Sequence, residues 1–378
     1  MTPRVLHVIT GLGHGGAERQ LLALLRRLPV PCEVAVLTGP YTLADPIESL
    51  GIPVHRLAMR GNRDLTALPT LVRLIRQGRF DIVHTHLYRA GVFGRLAARL
   101  AGVRGVVATE HSLGEGHLEG RATGPAVRLL YRAGERLGRV TVAVSPTVAA
   151  RLDDWGVPPA RVVTIPNGID ADAFRFDPLL RARTRRRWGL DEHDFVVGTV
   201  GRLVPTKRTE VLIAALEHTA AARLVVVGDG PRRRELERLA ARSPAASRVL
   251  FAGDTDDVPG ALAALDVFAA PSVQETFGLS VLEALASGLP VLYTACPALQ
   301  DLPADHAAGA HRVPSSPDAY GEAIGRLARR PPGRLAPPAA VDRYSIDAVA
   351  DRMTRLYGAI AAPSTAAAPR ASSPRPTR

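Results

Sequence analysis

Short apolar runs alternate along the chain with longer stretches whose apolar positions recur at helical spacing, and this alternation predicts βα units feeding parallel sheets. In the first half the predicted strands are Val5–Thr10, Glu33–Thr38, Asp81–Thr85, Val106–Thr109, Val140–Val144 and Val162–Ile165. Amphipathic helices such as Ala17–Leu28, Leu65–Gln77 and Arg89–Ala101 lie between them. The rhythm stops over 175–194, where Arg181, Arg183 and Arg185–Arg187 read as a connector with a short basic helix. It resumes with Phe195–Gly201, Arg223–Val227, Val249–Phe251, Val267–Ala270 and Pro290–Tyr293. Two successive arrays with one interruption predict two α/β domains with a cleft between them. Open parallel sheets take ligands at the carboxyl ends of their strands, so the cleft is the expected site. Arg329–Pro338 reads as an irregular crossing segment and Ile346–Ile360 as one amphipathic helix. The remainder, 361–378, is Ala, Pro, Ser, Thr and Arg and predicts a disordered tail.

Composition changes this picture little. At 378 residues, with 46% hydrophobic and 22% charged, the chain suits two ordinary domains with sizeable cores. The formal charge of +12 could suit nucleic acid or an anionic surface, yet Lys207 is the only lysine among 48 basic residues. So uneven a choice of cation reads as a bias over the whole chain, and no nucleic-acid module is recognisable, so nucleic acid is not an expected partner. Cys32 and Cys296 are isolated and lack disulfide or metal-ligand spacing. The N-terminus lacks a signal-peptide core and no apolar run approaches the ~20 residues that span a bilayer. A cytoplasmic enzyme is expected.

Several loops carry chemistry. Thr10-Gly11-Leu12-Gly13-His14-Gly15-Gly16-Ala17-Glu18 leaves a strand and opens a helix, where free N–H groups favour an anion. Its G-x-G-x-x-G lettering fits a dinucleotide fingerprint, but the acidic residue at the next strand end is missing, and a plain tight turn reads equally from the same letters. His84, His86 and His111 stand at strand ends, where each is either structural or catalytic; His111 precedes a glycine-rich loop, Ser112–Gly120, able to close over a cleft. Their spacing does not suggest zinc. Gly201-Arg202-Leu203-Val204-Pro205-Thr206-Lys207 places two cations on one strand-end loop, which suits a diphosphate. The turn Val227-Gly228-Asp229-Gly230-Pro231 fits the lining of a nucleotide pocket. The strongest signal is Pro271–Ala284: a strand ends, a loop carries Glu275, and Gly278 begins a helix that aims the amides of Thr276, Phe277, Gly278 and Leu279 at the cleft. Glu283 sits among Val281, Leu282, Ala284 and Leu285, and a carboxylate there needs hydroxyls, cations or a buried arginine.

Together with Asp81-Ile82-Val83-His84-Thr85-His86, Thr109-Glu110-His111, Val144-Ser145, Ile165–Asp170 and Ala286–Val291, these pieces resemble the family 4 glycosyltransferases, retaining enzymes of the GT-B fold. The resemblance runs from Val5 to Val291 and more loosely through the final helix. It implies two Rossmann-like domains facing each other across a cleft, with a C-terminal helix crossing back to the first. The expected division is 1–174 (acceptor side), 175–342 (nucleotide-sugar side), 343–360 (returning helix) and 361–378 (tail).

The resemblance also implies roles. Arg202 and Lys207 would hold the donor diphosphate, Glu283 the ribose hydroxyls, and Glu275 the donor sugar, with Thr276 to Leu279 presenting amides to sugar and phosphate. Gly15 and Gly16 would let the first domain's loop close on the donor, and His111 would meet the sugar from the acceptor side. No metal and no further cofactor is expected, the UDP- or GDP-sugar being a co-substrate. Asp153-Asp154 and Asp256-Asp257 read as solvated loop acids, not as metal ligands. The resemblance further implies that the acceptor would be a hydroxyl in cell-surface polysaccharide, glycoconjugate or secondary-metabolite assembly. Arginines 121, 128, 132, 136 and 139 are compatible with an anionic membrane and a lipid-linked acceptor, and equally with a solvated face. The segment Leu292–Asp301 departs from the family pattern, which loosens the expectation for the donor sugar. A GT-B nucleotide-sugar epimerase, an NAD-dependent oxidoreductase and a catalytically idle GT-B partner subunit are the competing readings.

Overall fold

The computed structural model describes residues 2–61, 64–119 and 121–362. The first array forms β1 (Val5–Ile9), β2 (Cys32–Val36), β3 (Val54–Arg56), β4 (Ile82–His86) and β5 (Gly105–Glu110). A small antiparallel hairpin follows, β6 (His117–Leu118) and β7 (Arg121–Ala122), and then β8 (Val140–Ala143) and β9 (Val162–Thr164). The main strands form a seven-stranded parallel sheet ordered β3-β2-β1-β4-β5-β8-β9. The second array supplies β10 (Phe195–Val200), β11 (Ala222–Val227), β12 (Val249–Gly253), β13 (Val267–Ala270), β14 (Val291–Tyr293) and β15 (Ala310–Arg312). These make a six-stranded parallel sheet ordered β12-β11-β10-β13-β14-β15.

Helices cover both faces of each sheet, so the central strands are near-continuous apolar runs, as β1 and β13 illustrate by being buried at every position. The edge strands β3 and β15 escape that pattern: each has three residues, none fully buried, and so lacks the apolar run by which the others were predicted. The expected glycine-rich loop after His111, Ser112–Gly120, carries β6 and leads into β7 of the hairpin. In both sheets the order of strands reverses once, between β1 and β4 and between β10 and β13. The carboxyl ends of these four strands mark the crevice of each doubly wound sheet. Four chemistry-bearing loops, those after β1, β4, β10 and β13, leave from there.

The connector helix Pro178–Arg187 belongs to the packing of the second sheet, against helix Val258–Ala264. Its arginines are structural: Arg181 and Arg185 each donate to the Asp266 carboxylate, at 2.6 and 2.7 Å, and Arg185 also caps the carbonyls of Ala264, Asp191, Glu192 and Asp194. The irregular segment after Arg329 is pinned by Arg334, which donates to carbonyls of Ser287, Leu262, Ala263 and Leu265 and stacks on Phe176. Helix Ile346–Ala361 then crosses to the first sheet. Ile346, Val349, Ala350, Met353 and Tyr357 pack there against Val5, Ile82, Val107 and Val142. Of the expected tail, 361–378, Ala361 instead ends this helix, and 363–378 lie outside the described residues.

Candidate active site

On the second sheet's side the site is built from two loops and a helix start. Gly228 approaches Gly201 so closely that a Cβ there would lie 2.1 Å from the Gly201 carbonyl oxygen, so the loops after β10 and β11 pack backbone to backbone. Residue 207 ends a short turn after Gly201, and Lys207 Nζ donates to Glu275 Oε1 at 2.6 Å. The pair is half-buried, with side-chain exposures of 29% and 14%. Arg202 stands exposed at the head of the same loop and makes no ion pair with a described residue.

After β13 the chain passes Glu275 and turns into helix Leu279–Ala286 at Gly278, whose φ of +101° is open to glycine and strained for other residues. A Cβ at Gly278 would also lie 2.5 Å from Cys296 Sγ. Among the described residues the amides of Thr276, Phe277, Gly278 and Leu279 find no acceptor, leaving a cluster of donors at the positive end of the helix. Phe277 itself is core, buried edge-on against Tyr344, so it offers the cleft only its backbone. Glu283 follows along the helix with no hydrogen bond or ion pair to a described residue. Burial raises its pKa, and Arg19 and Lys207 oppose the shift.

The first domain closes over these groups. Thr276 Oγ1 donates to the His111 carbonyl at 2.7 Å, Ser145 Oγ donates to the Thr276 carbonyl at 2.6 Å, and Arg151 donates to the carbonyls of Leu113 and Glu275. A Cβ on Gly16 would sit 3.6 Å from Leu279 Cδ1, so the glycine loop after β1 lies directly against the helix start. Arg19 donates to the Thr255 carbonyl at 2.7 Å, and His14 Nδ1 lies 3.0 Å from Asp256. Glu18 faces Gly15; burial raises its pKa, and the charge of Arg202 opposes that across the cleft.

Asp153, Asp154 and Asp256 are exposed, as expected of solvated acids, and only their setting differs from plain loops. Asp256 faces His14 across the cleft, Asp257 caps helix Val258–Ala264 by accepting from Gly260 N at 2.8 Å, and Asp153 and Asp154 close a helix.

A row of buried imidazoles backs the first domain's side. His84 and His86 alternate along β4 and face the same way as His7 on β1, which the sequence pattern hid inside an apolar strand. His7, His84 and His86 bring ligand atoms within 4.8 Å of one another, which is metal-like proximity. All six of their ring nitrogens are nevertheless engaged. His84 bonds the Tyr357 hydroxyl at 2.6 Å and Thr109 Oγ1 at 2.7 Å. His7 faces Cys32 and His86, and His86 faces His7 and His111. Hydrogen bonding therefore accounts for the cluster. Burial pushes the imidazoles of His7 and His111 down to about 3 and about 4, and those of His84 and His86 well below their usual value, so the row is neutral. Glu110, beside His111, is also buried, and its pKa is pushed up to about 7, with Arg95 opposing the shift.

Residues 14–173 match the model for Glycosyltransferase Family 4 and residues 194–330 that for Glycosyl transferases group 1. Among curated relatives, an Escherichia coli UDP-Gal:alpha-D-GlcNAc-diphosphoundecaprenol alpha-1,3-galactosyltransferase is 30% identical over 271 residues, covering 68% of each chain. A D-inositol 3-phosphate glycosyltransferase of Acidothermus cellulolyticus is 32% identical over 314 residues, 77% of this chain and 67% of the relative. The chain belongs to the family 4 glycosyltransferases. Among solved structures, Anabaena Alr3699/HepE in complex with UDP and glucose superposes with a TM-score of 0.83 at 21% identity, over 94% of this chain and all of that one. A sucrose-phosphate synthase from Thermosynechococcus elongatus superposes at 0.76. The GT-B fold follows, and the chain is a nucleotide-sugar-dependent glycosyltransferase; nothing supports the epimerase or the oxidoreductase.

Measured on this family 4 enzyme, the fold gathers the expected residues at one cleft. Arg202, Lys207, Gly228, Glu275, the 276–279 amides and Glu283 line the second domain's side, and Gly15, Gly16 and His111 the first's. Sequence reasoning assigned Lys207 and Glu275 to separate partners; the structure pairs them directly. It also missed Arg19 and Arg151, two arginines among many, whose contacts across the cleft have no local sequence signal. A separate hollow of about 430 Å³ lined by Ile75, Arg76, Asp81, Gly105 and Ile360 opens at the amino ends of β4 and β5, the wrong end for this chemistry.

Proposed function

We propose that this enzyme transfers a sugar with retention of configuration from a UDP- or GDP-sugar to a hydroxyl acceptor, with no metal ion. The observation that carries this reading is the set of charges around one helix start. An ammonium already shared with Glu275 surrounds the cleft together with the Arg202 guanidinium, four amides and the Glu283 carboxylate, none of which pairs with a described residue. Departure of a nucleoside diphosphate puts new negative charge on the phosphate oxygens. Preorganised cations and amides meet that charge without reorganising. Arg202 and Lys207 hold the diphosphate, Glu283 accepts from the ribose hydroxyls, and Glu275 contacts the donor sugar while holding Lys207 in place. Gly15 and Gly16 admit the diphosphate against the first domain, Gly228 lines the nucleotide pocket, and His111 meets the sugar from the acceptor side. The acceptor proton passes to a donor phosphate oxygen, so no protein base is needed. The domains divide at 174/175, with 343–360 returning to the first.

Helix Pro125–Glu135 presents Leu129 and Leu130, 68% and 50% exposed, beside exposed Arg128, Arg132 and Arg136. Apolar tips among cations favour peripheral contact with an anionic membrane and a lipid-linked acceptor. No helix of the described residues is long and apolar enough to cross a membrane. The E. coli galactosyltransferase acts on a diphosphoundecaprenol-linked sugar, whereas a Streptomyces kanamyceticus relative, 31% identical, is a 2-deoxystreptamine glucosyltransferase. A thermal-shift panel of UDP, GDP, ADP and their sugars, each with and without EDTA, tests the donor first. The expected result is stabilisation by UDP or GDP that EDTA leaves unchanged. Stabilisation by none of them, or only with a divalent cation, would refute the site as drawn.

A further inference from the structure

The buried row on the first sheet runs from one end of the strands to the cleft. Register places Cys32 opposite Val5, His7 opposite His84, Ile9 opposite His86, and His86 opposite Thr109. Side chains alternate along each strand, so Cys32, His7, His84, His86 and Thr109 share one face, and His111 continues it beyond β5. Cys32 Sγ lies 3.7 Å from His7 Nε2, His7 Nδ1 lies 3.0 Å from His86 Nε2, and His86 Nδ1 lies 3.2 Å from His111 Nε2. The consecutive rings meet edge to edge and nearly parallel, with centroids 5.3 and 5.5 Å apart and interplanar angles of 24° and 29°, so their in-plane nitrogens face each other. His111 Nδ1 ends the row, buried and without a hydrogen-bond partner among the described residues, next to the loop that carries Glu275 and Thr276.

We propose that Cys32, His7 and His86 form one hydrogen-bonded wire that fixes the tautomer of His111, with every proton directed toward the cleft and Nδ1–H of His111 offered to the donor sugar. The inference rests on the reading that His111 meets the sugar. A neutral imidazole has one N–H and one lone pair. Three of them in line have only two self-consistent arrangements, all protons forward or all reversed. Any mixed arrangement sets two N–H groups or two lone pairs against each other in a dry core. The end group chooses between the two. Burial keeps the Cys32 thiol protonated, and a thiol sulfur is a weak acceptor beside the strong imidazole lone pair, so S–H donates to His7 Nε2. Each later ring then donates through Nδ1. His84 takes no part in the choice, because Tyr357 and Thr109 occupy both its nitrogens. His7 and His86 are thus positioning residues, and their effect on the reaction passes through His111.

The experiment uses the full chain labelled with 15N-histidine, in which ring-nitrogen shifts separate protonated from bare nitrogens, alongside steady-state kinetics. In the parent, His111 is expected to carry its proton on Nδ1 with Nε2 bare. Cys32→Ala removes the end donor far from the cleft; a bare Nδ1 signal is expected at His111, with kcat lower by about tenfold, the worth of one hydrogen bond, at unchanged donor KM. His86→Phe cuts the wire and His86→Gln, which keeps a donor and an acceptor, restores part of the rate. A bare Nδ1 in the parent would overturn the direction of the wire. A His111 tautomer identical in the parent, Cys32→Ala and His86→Phe would overturn the coupling. If His111→Ala keeps full activity while the tautomer responds as expected, the wire stands and the contact with the sugar falls.

Discussion

Replacing Lys207 with alanine separates the chemistry of this site from its stability. The substitution removes an ammonium 2.6 Å from Glu275 Oε1 and leaves that carboxylate, 14% exposed, without its partner. Exposed pairs are worth about 0–1 kcal/mol, and breaking fully buried ones costs about 3–5 kcal/mol. With one partner 29% and the other 14% exposed, this pair falls between, at about 2 kcal/mol. For a domain of this size that lowers Tm by about 4–8 °C, which a folded protein at assay temperature tolerates. The catalytic loss is larger. A preorganised group opposite developing oxyanion charge is worth about 10²–10³ in rate, or about 3–4 kcal/mol. Release of nucleoside diphosphate, followed under saturating donor and acceptor, should therefore fall by two to three orders of magnitude (about 10²–10³) while the far-UV spectrum is unchanged. The double variant with Glu275→Gln distinguishes the lost cation from the stranded carboxylate, because it should recover Tm and not kcat. A Lys207→Ala enzyme that keeps more than about a tenth of the parent kcat, which corresponds to less than about 1.4 kcal/mol, refutes the phosphate assignment.

Glu283→Gln should weaken donor binding by about ten- to a hundredfold, since hydrogen bonds to a charged group contribute about 1.5–3 kcal/mol; equal loss of donor and acceptor affinity by calorimetry would count against a ribose contact. Gly278→Ala should lower Tm and donor affinity together. The left-handed conformation costs a residue with a Cβ about 1–2 kcal/mol, and that Cβ meets Cys296 Sγ at 2.5 Å; unchanged donor affinity would show that the helix start moves without consequence. The histidine row predicts acid lability. His7 and His111, held at about 3 and about 4, gain a proton on unfolding near pH 6.5, so their stabilisation is complete above that value. It is lost as pH falls toward 4, at about 1.4 kcal/mol per unit for each group, and a flat urea midpoint over that range would exclude it. Glu110, held at about 7, acts in the opposite sense: its contribution is complete below its unfolded value and lost as pH rises through 7. Glu110→Gln should accordingly raise the urea midpoint at pH 8 and not at pH 4, and an equal change at both would refute the burial argument.

The central strands of both sheets were legible because a strand buried on both faces must be apolar throughout, and β13 falls at Val267–Ala270 as its pattern indicates. The edge strands β3 and β15 were not legible, since half-buried three-residue strands carry no such pattern. The loops around Lys207, Glu275 and Gly278 were readable because glycines, cations and carboxylates at strand ends are needed for reasons local to each loop. Two sheets and their linker were thus determined by the sequence, along with the chemical class of the residues at the cleft. What the sequence left open depends on residues far apart in the chain. Lys207 and Glu275 share one hydrogen bond across 68 positions, and Tyr357 reaches His84 across 273. His7 looks like a break in an apolar strand until register sets it beside His84 and His86. Periodicity reports which face of an element is buried, and only tertiary packing decides what that face meets.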